Sequence, residues 1–390
     1  MLRLPGFGLL LVLQVVASAR AADPAERWIG YTQLQTNLPG GRHANVRTMR
    51  ATAVRANGAD RRPVASELAV EPDTWTQFVG WSPDGKTAVV GCGWQNPDNA
   101  AWEEEHKTFR MTPGNWKLDS YLIDFAAGTT FNVTEVERVS DYNGGLFFWP
   151  NDPQHLGFTA LIEGNSHPFK MDRDGRHKVD LSTGKDEFTY GFSSAPDGQR
   201  IAYHKNYQIY LADGDGSHAQ RVETGHDFNF APSWSPDGKW VLFVSGEHYN
   251  CHPCIVRADG TGLRKLADRG GYRGVTEFLD VPDFHGGSSD VPVWSTDGRT
   301  VYFTALVEEA VELQQATLDG VVTRLTNSPA GTTHYHPTPS PDGKCLLYGS
   351  KRGGVRQLFV RMLDDGSERQ ITENGVGQGS LWGQWNPMAE

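Results

Sequence analysis

The chain has 390 residues, 38% of them hydrophobic and 11% aromatic, with 44 glycines, 22 prolines and 12 tryptophans. Such a composition fits a globular protein rather than a disordered one, with many short strands joined by tight turns. The formal charge of −11 without a long basic run argues against a nucleic-acid binder, and no internal apolar run approaches the roughly 20 residues that span a bilayer.

The chain opens with Arg3, the apolar run Leu9–Val16, and small-x-small sites at Ala17-Ser18-Ala19 and Ala19-Arg20-Ala21. Residues 1–21 therefore read as a secretory signal. The alternative, an uncleaved anchor, is disfavoured because the run is short. A periplasmic or secreted protein is expected, with its folded domain over 24–390. Losing Arg3 and Arg20 takes the formal charge of −11 to −13. An acidic ligand would then need a local cationic site or a metal to overcome the field.

Next come three β-rich segments beginning at Trp28, Thr48 and Arg62, followed by a repeated turn. The turn reads Trp81-Ser82-Pro83-Asp84-Gly85, Trp234-Ser235-Pro236-Asp237-Gly238, Trp294-Ser295-Thr296-Asp297-Gly298 and Ser340-Pro341-Asp342-Gly343. Weaker copies stand at Trp149-Pro150, Ala195-Pro196-Asp197-Gly198 and Trp385-Asn386-Pro387. Proline presets φ at the turn corner, Asp bonds its own backbone, and Gly takes the positive φ. A β-rich run follows each turn, as in Trp240–Val244 and Val301–Ala305. Each unit reads as a four-stranded meander, A to D, with this turn between A and B. Internal repetition at about 40–45 residues is the signature of a β-propeller. The seven motif positions, with Leu381–Trp385 supplying strand A to the N-terminal strands, predict an all-β, seven-bladed propeller closed by pairing of the chain ends.

In an A-B-C-D blade the A–B turns share one face of the disc, and the B–C and D–A connections share the other. Every predicted insertion maps to that second face: residues 93–116, 246–253 and 268–290. Long loops on one rim of a rigid scaffold commonly carry function. Glu103–Glu105 in the first insertion read as a solvated loop. Cys251 and Cys254, spaced C-x-x-C in the second, read as a local disulfide or two free thiols rather than a redox pair. His334 and His336 stand at the entry of a strand A. Alternation predicts that both rings share one face near the channel mouth, where they would suit a nitrogen-preferring divalent metal. His285, His226 and His248 are further candidates on the same face.

The turn repeats resemble those of the TolB and WD-like propellers, over nearly the whole chain after residue 24. That likeness is specific for fold and nearly silent on function. His334-Tyr335-His336-Pro337, followed by Ser340-Pro341-Asp342-Gly343, resembles the metal-binding segment of the oligogalacturonate lyases. Those enzymes are seven-bladed propellers that cleave pectin fragments by β-elimination. The resemblance implies a Mn-like divalent ion at His334 and His336, with His285 as a third ligand. The family's glutamine three positions before His334 is Gly331 here. A neutral histidine, His226 or His248, would remove the proton next to the uronate, and Arg273 would stabilise developing charge. The rival class implied by the TolB-like repeats is a non-catalytic platform for envelope proteins or another ligand.

Overall fold

The computed structural model describes residues 26–388 apart from 36, 39–41, 44–47, 72, 107–109, 111–113, 137–144, 163–164, 183–188, 248–249, 277–280 and 283–289. The expected leader, His248 and His285 lie outside the described residues.

Seven four-stranded antiparallel sheets form the propeller, each in the order A-B-C-D. The first blade is closed as expected: Gln378–Trp385 pairs with Trp28–Gln35, which continues to Arg50–Arg55 and Arg62–Pro63. The six remaining blades begin with the strands Thr74–Trp81, Leu146–Phe148, Thr189–Ser194, Phe228–Trp234, Val293–Trp294 and His334–Pro339.

The blades stick because alternation gives each sheet two apolar faces, and each face meets a neighbour. Ile29, Tyr31 and Trp385 of the first blade pack on Cys345, Leu347 and Leu358 of the seventh. Val241 and Phe243 of the fifth pack on Ala202, Ile209 and Leu211 of the fourth. Each such side chain contributes about 1.5–3 kcal/mol when fully buried. Indoles of the turn motif add a second tie: Trp81 Nε1 donates to Gln384 O (3.1 Å), Trp294 to Ser233 O (3.2 Å) and Trp385 to Thr338 O (3.0 Å), each in the preceding blade.

The turns are near copies of one another. Ser82, Ser235, Ser295 and Ser340 each donate Oγ–H to the Asp two residues on, at 2.5–2.7 Å. Each Oγ also accepts the backbone N–H five residues ahead, at 2.9–3.0 Å. The glycine closing each turn has φ of +68 or +69°, which only glycine adopts freely.

The opposite face departs from expectation in three places. Residues 93–116 do form an insertion, but it contains the helix Pro97–His106. Glu103 is buried there rather than solvated; it accepts from Gln95 Nε2 (2.8 Å), Asn99 Nδ2 (3.1 Å) and Arg110 N (2.8 Å). Residues 246–253 are no long loop: Trp240–Glu247 and Asn250–Arg257 form a hairpin paired up to Glu247 and Asn250. Cys251 and Cys254 therefore sit three apart on one strand, point to opposite faces, and enter different apolar clusters. Both are free thiols, which leaves the disulfide alternative aside. The 268–290 connection carries its own short hairpin, Val275–Thr276 with Val281–Pro282.

Candidate functional site

Strand C begins on the insertion-bearing face, and a shared backbone bond fixes its register in all seven blades. The residue after strand D donates to the carbonyl of Ala51, Ser120, Pro168, Ile209, Pro253, Leu313 or Leu358, at 2.8–3.0 Å. Directly before these stand Arg50, Asp119, His167, Gln208, His252, Glu312 and Gln357, every one polar. Most of them reach the strand D-to-A connection of their own blade. Asp119 Oδ1 accepts Thr134 Oγ1 (2.9 Å) and Val136 N (2.7 Å); Gln357 Oε1 accepts Thr372 Oγ1 (2.8 Å) and Asn374 N (3.0 Å). His252 Nδ1 accepts Arg269 N (3.2 Å). His167 Nδ1 lies 2.8 Å from Ser182 Oγ. Part of the histidine accumulation on this face is therefore a structural clasp repeated around the ring.

The predicted site residues fall into separate environments. His334 is fully buried. Its Nε2 lies 2.8 Å from Ser328 Oγ and 3.6 Å from Glu312 Oε2, and its ring meets Tyr348 edge-on. Burial pushes its pKa down to about 4, helped by the Arg352 charge and opposed by Glu312, so the imidazole is neutral near pH 7. Its Nδ1 is buried without a hydrogen-bond partner among the described residues.

His336 has other neighbours. The strand is bulged between Tyr335 and Thr338, and His336 takes φ of +51°. The bulge interrupts regular alternation at His336, two residues after His334. Asp290 Oδ1 accepts His336 N (3.0 Å) and lies 3.6 Å from its Nδ1; Trp382, itself at φ +52°, meets the ring at 6.3 Å. Asp290 is buried and is held in turn by Thr304 Oγ1 (2.5 Å), which also takes a bond from the buried Arg269 (3.2 Å). The same bulge interrupts the inner strands of four other blades, with positive φ at Gly191, Ala231 and Trp382, so it is a repeated feature of the ring.

His226 is half-buried, with Nδ1 2.9 Å from Ser245 Oγ. Ser245 donates to Asn229 Oδ1 (2.7 Å), and Asn229 is oriented by its amide bonds to Tyr207 O (2.8 Å) and His226 O (3.0 Å). With its proton spent on Asn229, Ser245 Oγ can only accept from His226, which puts the proton on Nδ1 and leaves Nε2 as the basic nitrogen. Arg273 is exposed on the connection between the fifth and sixth blades. Among the described residues no group of three or more His, Cys, Asp and Glu side chains is gathered as a metal would require. The neutral ring and open Nδ1 of His334 do match a nitrogen ligand.

Sequence reasoning missed Glu312, Ser328, Asp290 and Trp382. Glu312 could have been found: it stands where each blade places a polar residue before the apolar run of strand C.

No protein-family profile matches the chain. Over 186 residues it is 26% identical to an uncharacterised protein of Agrobacterium fabrum, covering 40% of this chain and 60% of that one. Over 173 residues it is 30% identical to the Tol-Pal system protein TolB of Bordetella pertussis, covering 43% of this chain and 35% of that one. The matches thus span between about a third and three-fifths of these relatives. Among solved structures, an oligogalacturonate lyase in complex with manganese aligns at a TM-score of 0.55 and 13% identity, over 89% of this chain and 86% of that one. The β-propeller domain of the Trilobed protease from Pyrococcus furiosus aligns at 0.54 and 16%, over 89% and 95%. The chain has a TolB-like β-propeller fold.

Proposed function

We propose that this is an exported propeller whose insertion-bearing face takes an acidic oligosaccharide together with a divalent transition metal, and cleaves it by β-elimination. The observation that carries the reading is His334: a buried, neutral imidazole with one nitrogen left open. That is the state a metal ligand needs, since only the unprotonated nitrogen coordinates. His334 and His336 would hold the ion, with His285 as the third ligand. A bound divalent ion would neutralise a uronate carboxylate and acidify the adjacent C–H.

The remaining roles belong to the chain's own groups. His226 presents Nε2 as proton acceptor, its tautomer set by Ser245 and Asn229. His248 is the alternative base. Arg273 would offset developing negative charge. The acidic protein makes such local cations necessary for an acidic substrate.

A second reading is favoured by the similarity to the Tol-Pal system protein: a non-catalytic platform for an envelope protein or other ligand. Elemental analysis of purified protein, with an absorbance assay for the unsaturated product on uronic-acid oligomers, separates the two. The enzyme reading expects bound metal, lost in His334→Ala/His336→Ala, and product formation reduced at least 100-fold in His226→Ala. A metal-free, inactive protein that captures a stoichiometric envelope protein overturns it.

A further inference from the structure

The hydroxyl and carboxylate behind His334 determine which of its nitrogens carries the proton. Glu312 is fully buried, yet it is a satisfied carboxylate. Oε1 accepts Arg324 Nη2 (2.9 Å) and Ser328 N (2.7 Å), and Oε2 accepts the hydroxyls of Thr326 and, at 3.3 Å, Ser328. Arg324, Ser328 N and Thr326, whose Oγ1 itself accepts Leu313 N (3.0 Å), all donate to it, which is the geometry of a carboxylate accepting at both oxygens. An ionised carboxylate only accepts. The single Ser328 proton therefore points to Glu312, and Ser328 Oγ is left as acceptor towards His334 Nε2, 2.8 Å away. The Nε2 atom must then carry the hydrogen.

The opposite arrangement fails twice. If Ser328 donated to Nε2, its lone pairs would face the Glu312 carboxylate. The ring proton would move to Nδ1, a buried position without an acceptor among the described residues. Among the described residues Nδ1 lacks a partner in either tautomer, but a buried unpaired N–H is tolerated less than an unpaired acceptor, and only the Nε2–H form also keeps the Ser328 bond to Glu312.

We propose that Ser328 and Glu312 are positioning residues that lock His334 as its Nε2–H tautomer, so that Nδ1 is a fixed lone-pair donor to a metal ion. The ligand role rests on the function proposed above; the tautomer does not. Carboxylate-to-histidine relays of this kind orient metal ligands, and their loss lowers metal affinity 10–100-fold.

Two readouts on the full chain test this. Long-range ¹H–¹⁵N spectra of ¹⁵N-histidine-labelled, metal-free protein, with the His334 signal assigned by its absence in His334→Gln, are expected to show a protonated Nε2 and an unprotonated Nδ1. Ser328→Ala should mix the tautomers and weaken Mn²⁺ binding in calorimetry about 10–100-fold. Ser328→Thr, which keeps the hydroxyl, should restore both. A wild-type His334 protonated at Nδ1 overturns the proposal, as does a Ser328→Ala protein with wild-type spectrum and affinity. A wild type that binds no Mn²⁺ overturns the metal reading and the ligand role with it, while the spectrum still decides the tautomer lock.

Discussion

The two faces of the disc are built under opposite rules. On the turn face four blades repeat one device, a serine bonded to an aspartate and to the strand beyond, with distances that agree within about 0.2 Å. On the opposite face the equivalent positions diverge: Arg50, Asp119, His167, Gln208, His252, Glu312 and Gln357 fill one register position with different chemistries. A position that must only close a turn converges on one solution. A position that needs only a polar group is free to acquire a role, and Glu312 beside His334 is where the clasp and the candidate site coincide.

The strongest way to break the comparison is to remove what both faces share. Ending the chain at Gly377 deletes Gln378–Trp385, the inner strand of the first blade. Trp28–Gln35 would be left as an open edge, and the seam between first and seventh blades would lose Leu381 and Trp385. We expect loss of the cooperative thermal transition and of near-ultraviolet circular dichroism. A truncated chain that melts sharply would show that the ring does not depend on its closure.

The fold was legible because the turn motif states its own geometry and recurs in every blade. The insertion-bearing face was less legible for local reasons. Pro253 reads as a loop marker, yet it pairs with Val244 inside a strand. At the same position in other blades, the N–H of Ser120, Leu313 and Leu358 is capped by the hydroxyl of Thr134, Thr326 and Thr372 at 2.8–3.0 Å. Pro168 and Pro253 have no N–H to cap, so proline is tolerated in mid-blade there. The positive φ of His336 was not legible because a one-residue bulge is invisible to period-two reasoning. Glu103 was read as solvated because its partners Asn99 and Arg110 stand on the same insertion and carry no repeat to compare with.

Acid separates the faces more finely. His252 is buried in the clasp, and burial, then the charge of Lys265, lowers its pKa below the ordinary 6.5, against the opposing pull of Asp268. A histidine depressed in the fold stays neutral while the unfolded chain takes up a proton. Its contribution to stability is therefore complete above about pH 6.5 and is lost as pH falls through the folded value. The variant His252→Gln keeps an acceptor for Arg269 N and should flatten the stability profile between pH 7.5 and 5.5, measured as the urea midpoint. An unchanged slope would assign that acid sensitivity elsewhere.

The turn face should respond to composition and not to pH in that window: the hydrogen bonds from Ser82 and Ser295 hold the Asp84 and Asp297 carboxyls below their ordinary range. Ser235→Ala removes the acceptor of Trp240 N (3.0 Å) and the donor to Asp237 (2.7 Å), and should cost about 1–2 kcal/mol at pH 7 and at pH 5.5 alike. The fourth blade offers the reverse experiment. Its turn has Ala195 where four other blades have serine, but keeps the rest of the geometry: Gly198 N to Ala195 O at 2.8 Å, and Gln199 N to Asp197 Oδ1 at 3.0 Å. Asp197 and the N–H of Arg200 thus stand where a serine hydroxyl would meet them. Ala195→Ser should raise the urea midpoint by an amount corresponding to about 0.5–1 kcal/mol, less than the loss at Ser235 because no buried donor is being rescued from a fully formed bond. A gain only at the fourth blade, with no loss at the fifth, would mean that the turns are alike in shape but not in energy, and that the uniformity of this face is geometric alone.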